Sequence, residues 1–266
     1  MHTFNIFSPP PCLKEYVRYF WALDIDLDSQ SSLSLVSYVD ASQGMSFQIT
    51  ETESVFLLDN ETAPLGLLHG LTTAPSSLQL KKSLSAFGLV FYPYSMKVIF
   101  GVDAYHFTNQ FISIEDDIDR FLGEQLHGAK NTRERIHILS LYLLGRINEK
   151  NKAGPFVKLC IDRIVASMGK TTVHNLVREL HTTERQIERR FKEHVGVTPR
   201  HFIKTTRFQQ ALHLIATNKL ASLTEIAHQL HYADQSHFIR HFHQLSGLSP
   251  TELRKQYNES VINLIL

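Results

Sequence analysis

Cysteine is scarce in this chain of 266 residues, which holds only Cys12 and Cys160. Two cysteines so far apart form neither a disulfide framework nor a zinc cluster, so we expect a reducing compartment. Long apolar runs are missing as well, because those at 86–90 and 138–144 fall far short of the roughly 18–20 residues that span a membrane. The first residues lack the basic start and the apolar core of a secretory signal. Together these absences predict a cytoplasmic protein without a membrane partner.

Sequence patterns typical of several enzyme classes are also missing. Neither G-x-G-x-x-G nor G-x-x-x-x-G-K occurs, which argues against a glycine-rich phosphate loop. A cupin-type metal enzyme in the first half is the alternative, but the histidines there show no H-x-H pairing. These histidines are His2, His69, His106, His127 and His137. We therefore predict no enzyme, no catalytic residue, no metal ligand and no cofactor.

Charge is distributed unevenly along the chain. Residues 1–155 carry 12 Lys and Arg against 17 Asp and Glu, whereas residues 156–266 carry 15 against 9 and hold 10 of the 15 histidines. Phosphate contacts need cations concentrated on one surface, so the second half is the candidate for binding a polyanion. A chance imbalance would give the same numbers, and charge alone does not decide between polyanion binding and chance.

The residue pattern predicts an α+β protein of two domains. Short alternating runs between turn residues predict the strands of a barrel or sandwich in a domain over 1–150. These runs lie at 16–25, 33–39, 45–50, 55–58, 65–69, 78–81 and 84–92. Flanking helices are predicted from Pro93, over 113–126 and over 132–150. A linker at 151–155 precedes a domain over 156–266 whose pattern is helical throughout.

An internal repeat organises the second domain. Segments 180–199 and 230–250 align at an offset of 51 that places Ile187 opposite Phe238. The short helices before them align at an offset of 50, so one turn is a residue longer. Each unit is therefore predicted to be helix, turn, helix, and apolar residues at helical steps over Pro199–Thr217 predict a long helix joining the two units.

The second helix of each unit has a polar face opposite its apolar stripe. Capping-box patterns beginning at Thr183, Ser222 and Ser249 predict helix starts. Any surface helix shows a polar face, but here the pattern occurs twice on either side of a rod. Two equivalent modules at a set separation suit a periodic partner such as B-DNA, whose successive major grooves lie about 34 Å apart on one face.

Residues 156–257 resemble the DNA-binding domain of the AraC/XylS family of bacterial transcription regulators. The stretch LTEIAHQLHYADQSHFIRHFHQLSGLSP carries the second-motif signature, and ERQIERRFKEHVGVTPRHFIKTTRFQQALHLI fits the first motif and the connecting helix. The family usually has glycine in the turn of each motif, where this chain has His181 and His231. Histidine tolerates the left-handed conformation better than a branched residue, so we expect both turns to form.

The resemblance implies a sequence-specific transcription regulator, for example an activator, that is associated with the nucleoid. Its implied partners are double-stranded DNA and RNA polymerase. Two recognition helices would read two successive major grooves. The residues implied to read bases are Arg185, Arg189, Gln235, Ser236 and Arg240. Those implied to contact phosphate are Thr183, Lys192, Lys204, Arg207 and His237, with a structural ion-pair role equally open for Arg207.

The first half more weakly resembles a domain of unknown function found ahead of this DNA-binding domain. The stretches SPPPCLKEYVRYFWAL and FGLVFYPYSMKVIFGVDAYHFTNQFISIEDD carry that resemblance. It implies control by a small-molecule effector, and the alternative is a ligand-independent regulator whose first half makes protein contacts. We interpret Phe20, Trp21, Phe91 and Tyr94 as core residues rather than pocket lining. The wide apolar arc of the helix at 132–150 predicts a homodimer interface, with burial inside its own domain as the alternative.

Overall fold

The computed structural model describes residues 2–28, 32–50, 54–148, 155–217 and 222–256. Within the first half, the strands form two antiparallel sheets, as predicted for a sandwich. The strands are β1 His2–Phe7, β2 Val17–Ile25, β3 Leu33–Ser37, β4 Gln43–Gln48, β5 Phe56–Leu58, β6 Glu61–Thr62, β7 Gly66–His69, β8 Ser76–Leu80, β9 Leu84–Phe91 and β10 Phe111–Ser113. The larger sheet has the order β1-β2-β9-β4-β7-β10, and the smaller one has the order β3-β8-β5-β6.

Three of these strands carry no clear sequence signal. Strand β1 is a largely exposed edge strand that pairs with β2 along its whole length, from His2 opposite Ile25 to Phe7 opposite Phe20. Strand β6 has two residues and β10 has three. Since each is defined by its partner strand rather than by alternation of its own residues, pattern reading missed them.

The helices of the first half share one apolar core with the larger sheet. They are α1 Met96–Phe100, α2 Ile114–Asp117, α3 Leu122–Gly128 and α4 Thr132–Arg146, with 3-10 turns at Pro11–Leu13 and Ala104–Phe107. The helix predicted from Pro93 begins three residues later, after Ser95. The single helix predicted over 113–126 is wrong: it divides into α2 and α3 because Asp119 accepts a hydrogen bond from the backbone N–H of Phe121 (3.0 Å) and closes a turn between them.

The second half is helical wherever it is described. Its helices are α5 Pro155–Ala166, α6 Val173–Glu179, α7 Glu184–Val195, α8 Pro199–Thr217, α9 Leu223–Gln229, α10 Gln235–Ser246 and α11 Pro250–Gln256. The predicted connecting helix has the bounds of α8. Most of the predicted linker, 151–154, lies outside the described residues, and Pro155 already begins α5. None of the helices in the described ranges is long and apolar enough to cross a membrane.

Two apolar cores divide the helices between the two modules. One centres on α6 and α7 with Ile187 and Phe191, and the other centres on α9 and α10 with Phe238 and Phe242. Helix α8 contributes to both, since Phe202 packs in the first core and Phe208 in the second. One rigid helix therefore joins the two modules, as the repeat predicted.

Candidate nucleic-acid interface

A side-chain cap sets the start of each second helix of the repeat. At α7, the Thr183 hydroxyl accepts a hydrogen bond from the N–H of Gln186 (3.3 Å). At α10, the Asp234 carboxylate accepts one from the N–H of His237 (2.7 Å). Each cap satisfies a backbone donor that would otherwise lack a partner in the first helical turn. Sequence reading missed Asp234, although Asp is a strongly preferred capping residue.

The other two predicted starts form reciprocal capping boxes. At α9, the Ser222 hydroxyl accepts from the N–H of Glu225, and the Glu225 carboxylate accepts from the N–H of Ser222 (2.8 Å). Ser249 and Glu252 make the same exchange at α11. At Thr183 only half of the predicted box forms, because the Gln186 side chain accepts instead from the Thr182 hydroxyl (2.7 Å).

The two tight turns adopt the left-handed backbone predicted for them. His181 has φ +48° and His231 has φ +57°. In the first turn the N–H of Thr182 bonds to the carbonyl of Val177 (3.2 Å), and in the second the N–H of Tyr232 bonds to the carbonyl of Ala227 (2.9 Å). These matching bonds are the helix-ending pattern that usually carries glycine. The extra residue of the second unit falls between His231 and the cap Asp234.

The polar faces of α7 and α10 point to solvent. Ile187 and Phe191 of α7, and Phe238 and Phe242 of α10, are fully buried. Every side chain predicted to read bases is exposed on the opposite face: Arg185, Arg189, Gln235, Ser236 and Arg240. Each set thus shares one side of its own helix, beginning in the first turn, where groove-reading helices approach base edges.

Two neighbours orient members of these sets. The Gln235 amide oxygen accepts a hydrogen bond from the Thr224 hydroxyl of α9 (2.8 Å), which holds the amide at the start of α10. Arg189 lies 3.8 Å from the Glu193 carboxylate, measured from Nη1 to Oε1, and its side chain is 63% exposed. An exposed pair at this distance contributes little and leaves Arg189 available for a stronger acceptor.

The predicted phosphate contacts divide into two groups. Thr183, Lys192, Lys204 and His237 are exposed. Arg207 is partly buried, its Nε donates to the carbonyl of Gly169 (2.8 Å), and its guanidinium lies 5.4 Å from the centre of the Tyr232 ring. Of the two roles left open for Arg207, these contacts favour the structural one.

A buried pair joins the second turn to α10. The Tyr232 hydroxyl lies 2.7 Å from His241 Nδ1, and both side chains are nearly inaccessible to solvent. Burial, together with the nearby cations of Lys204 and Arg207, lowers the pKa of His241 to about 4. His241 is therefore neutral at physiological pH and is a packing residue rather than a phosphate contact. Its partner Tyr232 belongs to the longer turn of the second unit.

Residues 38–43, which run from the end of β3 to the first residue of β4, contact both modules. The carbonyl of Val39 accepts from Gln209 Nε2 of α8 (2.6 Å), and its N–H donates to the carbonyl of Leu245 at the end of α10 (3.4 Å). Gln43 Nε2 donates to the carbonyl of Val195, the last residue of α7 (2.9 Å). We call residues 38–43 the bridging segment, because it joins the C-terminal ends of both exposed helices.

A cavity of about 210 Å³ lies between the two sheets. Its apolar lining includes Phe4, Trp21, Leu23, Phe47, Phe56, Leu67 and Phe111, and one edge is formed by Asp40 and Ser42 of the bridging segment. Core packing, as predicted, describes Phe20 and Phe91, and Tyr94 packs against the core of the first module. Trp21 packs against a small core cluster that contains Leu23 and Leu80, as predicted, and it also lines the cavity.

Two family models match this chain. Residues 176–256, which run from within α6 to the end of α11, match a helix-turn-helix domain, and residues 5–113 match a domain of unknown function (DUF6597). The transcriptional activator RhaS of Shigella boydii is 32% identical over 71 residues, which is 27% of this chain and 25% of RhaS. These matches support the resemblance of this chain to the AraC/XylS family. The chain thus spans about a quarter of the length of RhaS.

Three further proteins are similar to a part or to most of this chain. The transcriptional regulatory protein HptR of Staphylococcus aureus is 29% identical over 102 residues, which is 38% of this chain and 40% of HptR. Among solved structures, the C-terminal domain of AraT, a response regulator from Geobacillus stearothermophilus, aligns with 43% of this chain and 93% of its own at 22% identity and a TM-score of 0.38. ToxT of Vibrio cholerae with bound unsaturated fatty acid aligns over 91% of this chain and 97% of its own, at 14% identity and a TM-score of 0.47.

Proposed function

We propose that this chain is a sequence-specific transcription regulator that places α7 and α10 in two successive major grooves of duplex DNA. The observation that carries the proposal is the repeat itself: two helices with matching caps, turns and buried stripes present exposed polar faces. The 19 residues of α8 span about 28 Å, which is comparable to the 34 Å or so between successive major grooves.

The exposed side chains suit base edges and phosphates in different ways. Arg185, Arg189 and Arg240 match the paired acceptors of guanine, and Gln235 matches the donor and acceptor of adenine. Ser236 can bond to either. Exposed Thr183, Lys192, Lys204 and His237 would bind phosphates and set the register without reading sequence. RNA polymerase is the protein partner that the resemblance to this family suggests, and the nucleoid is the corresponding location.

A footprint of the full chain on the DNA beside its own gene tests the two-groove arrangement. We expect protection over about two helical turns on one face, and a loss of affinity for that site in Arg240→Ala. Arg133→Ala, an exposed arginine on α4, is the matched control and should bind as the wild type does. Protection confined to about one turn would mean that only one module reads bases.

We further propose that a small molecule in the cavity between the sheets controls DNA binding. The cavity reaches the bridging segment, which hydrogen-bonds to both modules, so an occupant there would contact an element linked to each of them. The alternative is a ligand-independent regulator whose first half makes protein contacts. Thermal unfolding in the presence of metabolite mixtures separates the two, since a ligand at about 100 times its Kd adds roughly 2.7 kcal/mol to stability.

A further inference from the structure

The cavity between the sheets is apolar along most of its surface and polar at one end. At that end Ser42 hydrogen-bonds to Asp40, and Tyr19 and His69 lie within reach of the Asp40 charge. The uncharged polar residues Ser37, Ser46, Gln48 and Thr72 also belong to the lining. Among the described residues that line the cavity, none is lysine or arginine. When the imidazole of His69 and the phenol of Tyr19 are neutral, the Asp40 carboxylate is the only charged side chain among the described residues of this lining at neutral pH.

The surroundings of His69 and Tyr19 keep both groups uncharged. Burial lowers the pKa of His69, although the Asp40 carboxylate opposes that shift. Burial raises the pKa of Tyr19. Position 44 makes room for the imidazole, because a Cβ on Gly44 would lie 2.9 Å from His69 Nε2 and 2.4 Å from the carbonyl oxygen of Leu89. The polar end thus carries the negative charge of Asp40.

The Asp40 carboxylate is held in place and keeps capacity for further donors. Its Oδ1 accepts from the N–H of Ser42 (2.9 Å), and its Oδ2 accepts from the Ser42 hydroxyl. An ionised carboxylate offers about four acceptor positions, so Ser42 occupies only part of them. A partly buried carboxylate with spare acceptors favours a positively charged hydrogen-bond donor.

The lining away from this end offers little to a second polar group. The amide of Gln48 is already used within the protein: its Nε2 donates to the Ser54 hydroxyl (2.7 Å) and to the carbonyl of Pro64 (3.1 Å), and its Oε1 accepts from the N–H of Val55 (2.9 Å). The rest of this surface is mainly aromatic and aliphatic. An occupant with one polar head and an apolar body fits both parts.

We propose that the cavity binds an apolar small molecule carrying a protonated amine, with the ammonium at Asp40 and the body between the sheets. The proposal rests on the proposed effector control and names the class of effector. A carboxylate on the same body would be desolvated beside Asp40 with no lining cation to pair with it. Because Asp40 and Ser42 belong to the bridging segment, the ammonium would bind to the element that holds both modules.

Three compounds with the same body test the head group. Octylamine, 1-octanol and octanoate are titrated into the full chain, with the fluorescence of Trp21 as the readout, since it is the single tryptophan of the chain and lines the cavity. Thermal unfolding serves as a second readout. We expect octylamine to bind about tenfold or more tightly than octanoate. The reason is that the Asp40 carboxylate attracts the ammonium of octylamine and repels the carboxylate of octanoate.

Substitution of Asp40 tests the site. Asp40→Asn keeps one oxygen that can accept from the N–H of Ser42 and removes the charge, so it should abolish the preference for the amine over the alcohol. Asp24→Asn is the matched control, because Asp24 is exposed on β2 and does not line the cavity. Octanoate binding as tightly as octylamine, an unchanged preference in Asp40→Asn, or no response to any of the three compounds would overturn the proposal.

Gel shifts on the same preparations separate this proposal from the regulator itself. If octylamine binds through Asp40 but the protein binds no DNA, the ligand class is supported and the proposed regulator function fails. If DNA is bound specifically but the head-group series fails, the regulator stands and the ligand class is wrong.

Discussion

Two arginines near the proposed DNA surface should respond to alanine in opposite ways. Arg240 is exposed on α10, so we expect Arg240→Ala to change the free energy of unfolding by less than about 0.5 kcal/mol. Its loss should cost about 1–3 kcal/mol of binding to the specific site and little on random DNA. Arg207 donates to the carbonyl of Gly169 and lies over Tyr232. A hydrogen bond from a charged donor contributes about 1.5–3 kcal/mol and the ring contact about 0.5–2 kcal/mol, so Arg207→Ala should cost about 2–5 kcal/mol of stability.

Urea unfolding and fluorescence anisotropy on matched specific and random duplexes measure both quantities for each variant. The Arg240 interpretation is refuted by an equal loss on the two duplexes, which would make Arg240 a phosphate contact. The Arg207 interpretation is refuted by wild-type stability combined with a uniform loss of affinity and a shallower salt dependence.

Further predictions concern pH, the helix α4 and ionic strength. The folded pKa of His241, about 4, lies below the usual value of about 6.5, so the unfolding free energy should fall as pH drops from about 6.5 towards 4. His241→Gln should flatten that slope in urea titrations at several pH values, and parallel slopes would contradict the assignment. Leu139→Asp should unfold the first half because Leu139 is fully buried, whereas Leu141→Asp, at a position 57% exposed, should leave it folded. The stripe that predicts a homodimer is buried in the core of the first half, with Leu139 and Leu143 at 0% exposure, so a homodimer through α4 would have to use the exposed Leu141 and Leu144. Sedimentation of the wild type as a monomer would exclude it. Affinity for duplex DNA should fall steeply with salt, and a flat response would argue against phosphate contacts.

The helical half was predicted well from the sequence because its determinants are local. Caps join residues three apart, as at Ser222 and Glu225, and the left-handed turns depend on single residues such as His181 and His231. The stripes of α7 and α10 repeat every three to four residues, so periodicity alone shows which side is exposed. The repeat made each of these signals appear twice. For these reasons the spacing of apolar residues along α7 and α10 was enough to predict that all five proposed base-reading side chains are exposed.

Tertiary structure decided what depends on residues distant in the chain. Strand β1 exists through its pairing with β2, and α2 separates from α3 at a turn that periodicity did not reveal. Arginine is usually exposed, yet Arg207 is held by Gly169 and Tyr232, which come from other parts of the chain. The bridging segment bonds to Val195 and Gln209 across 152 and 170 residues. Sequence patterns report which residues prefer burial, but only the packing of two sheets turned Trp21 into the lining of a cavity and brought Asp40 to its edge.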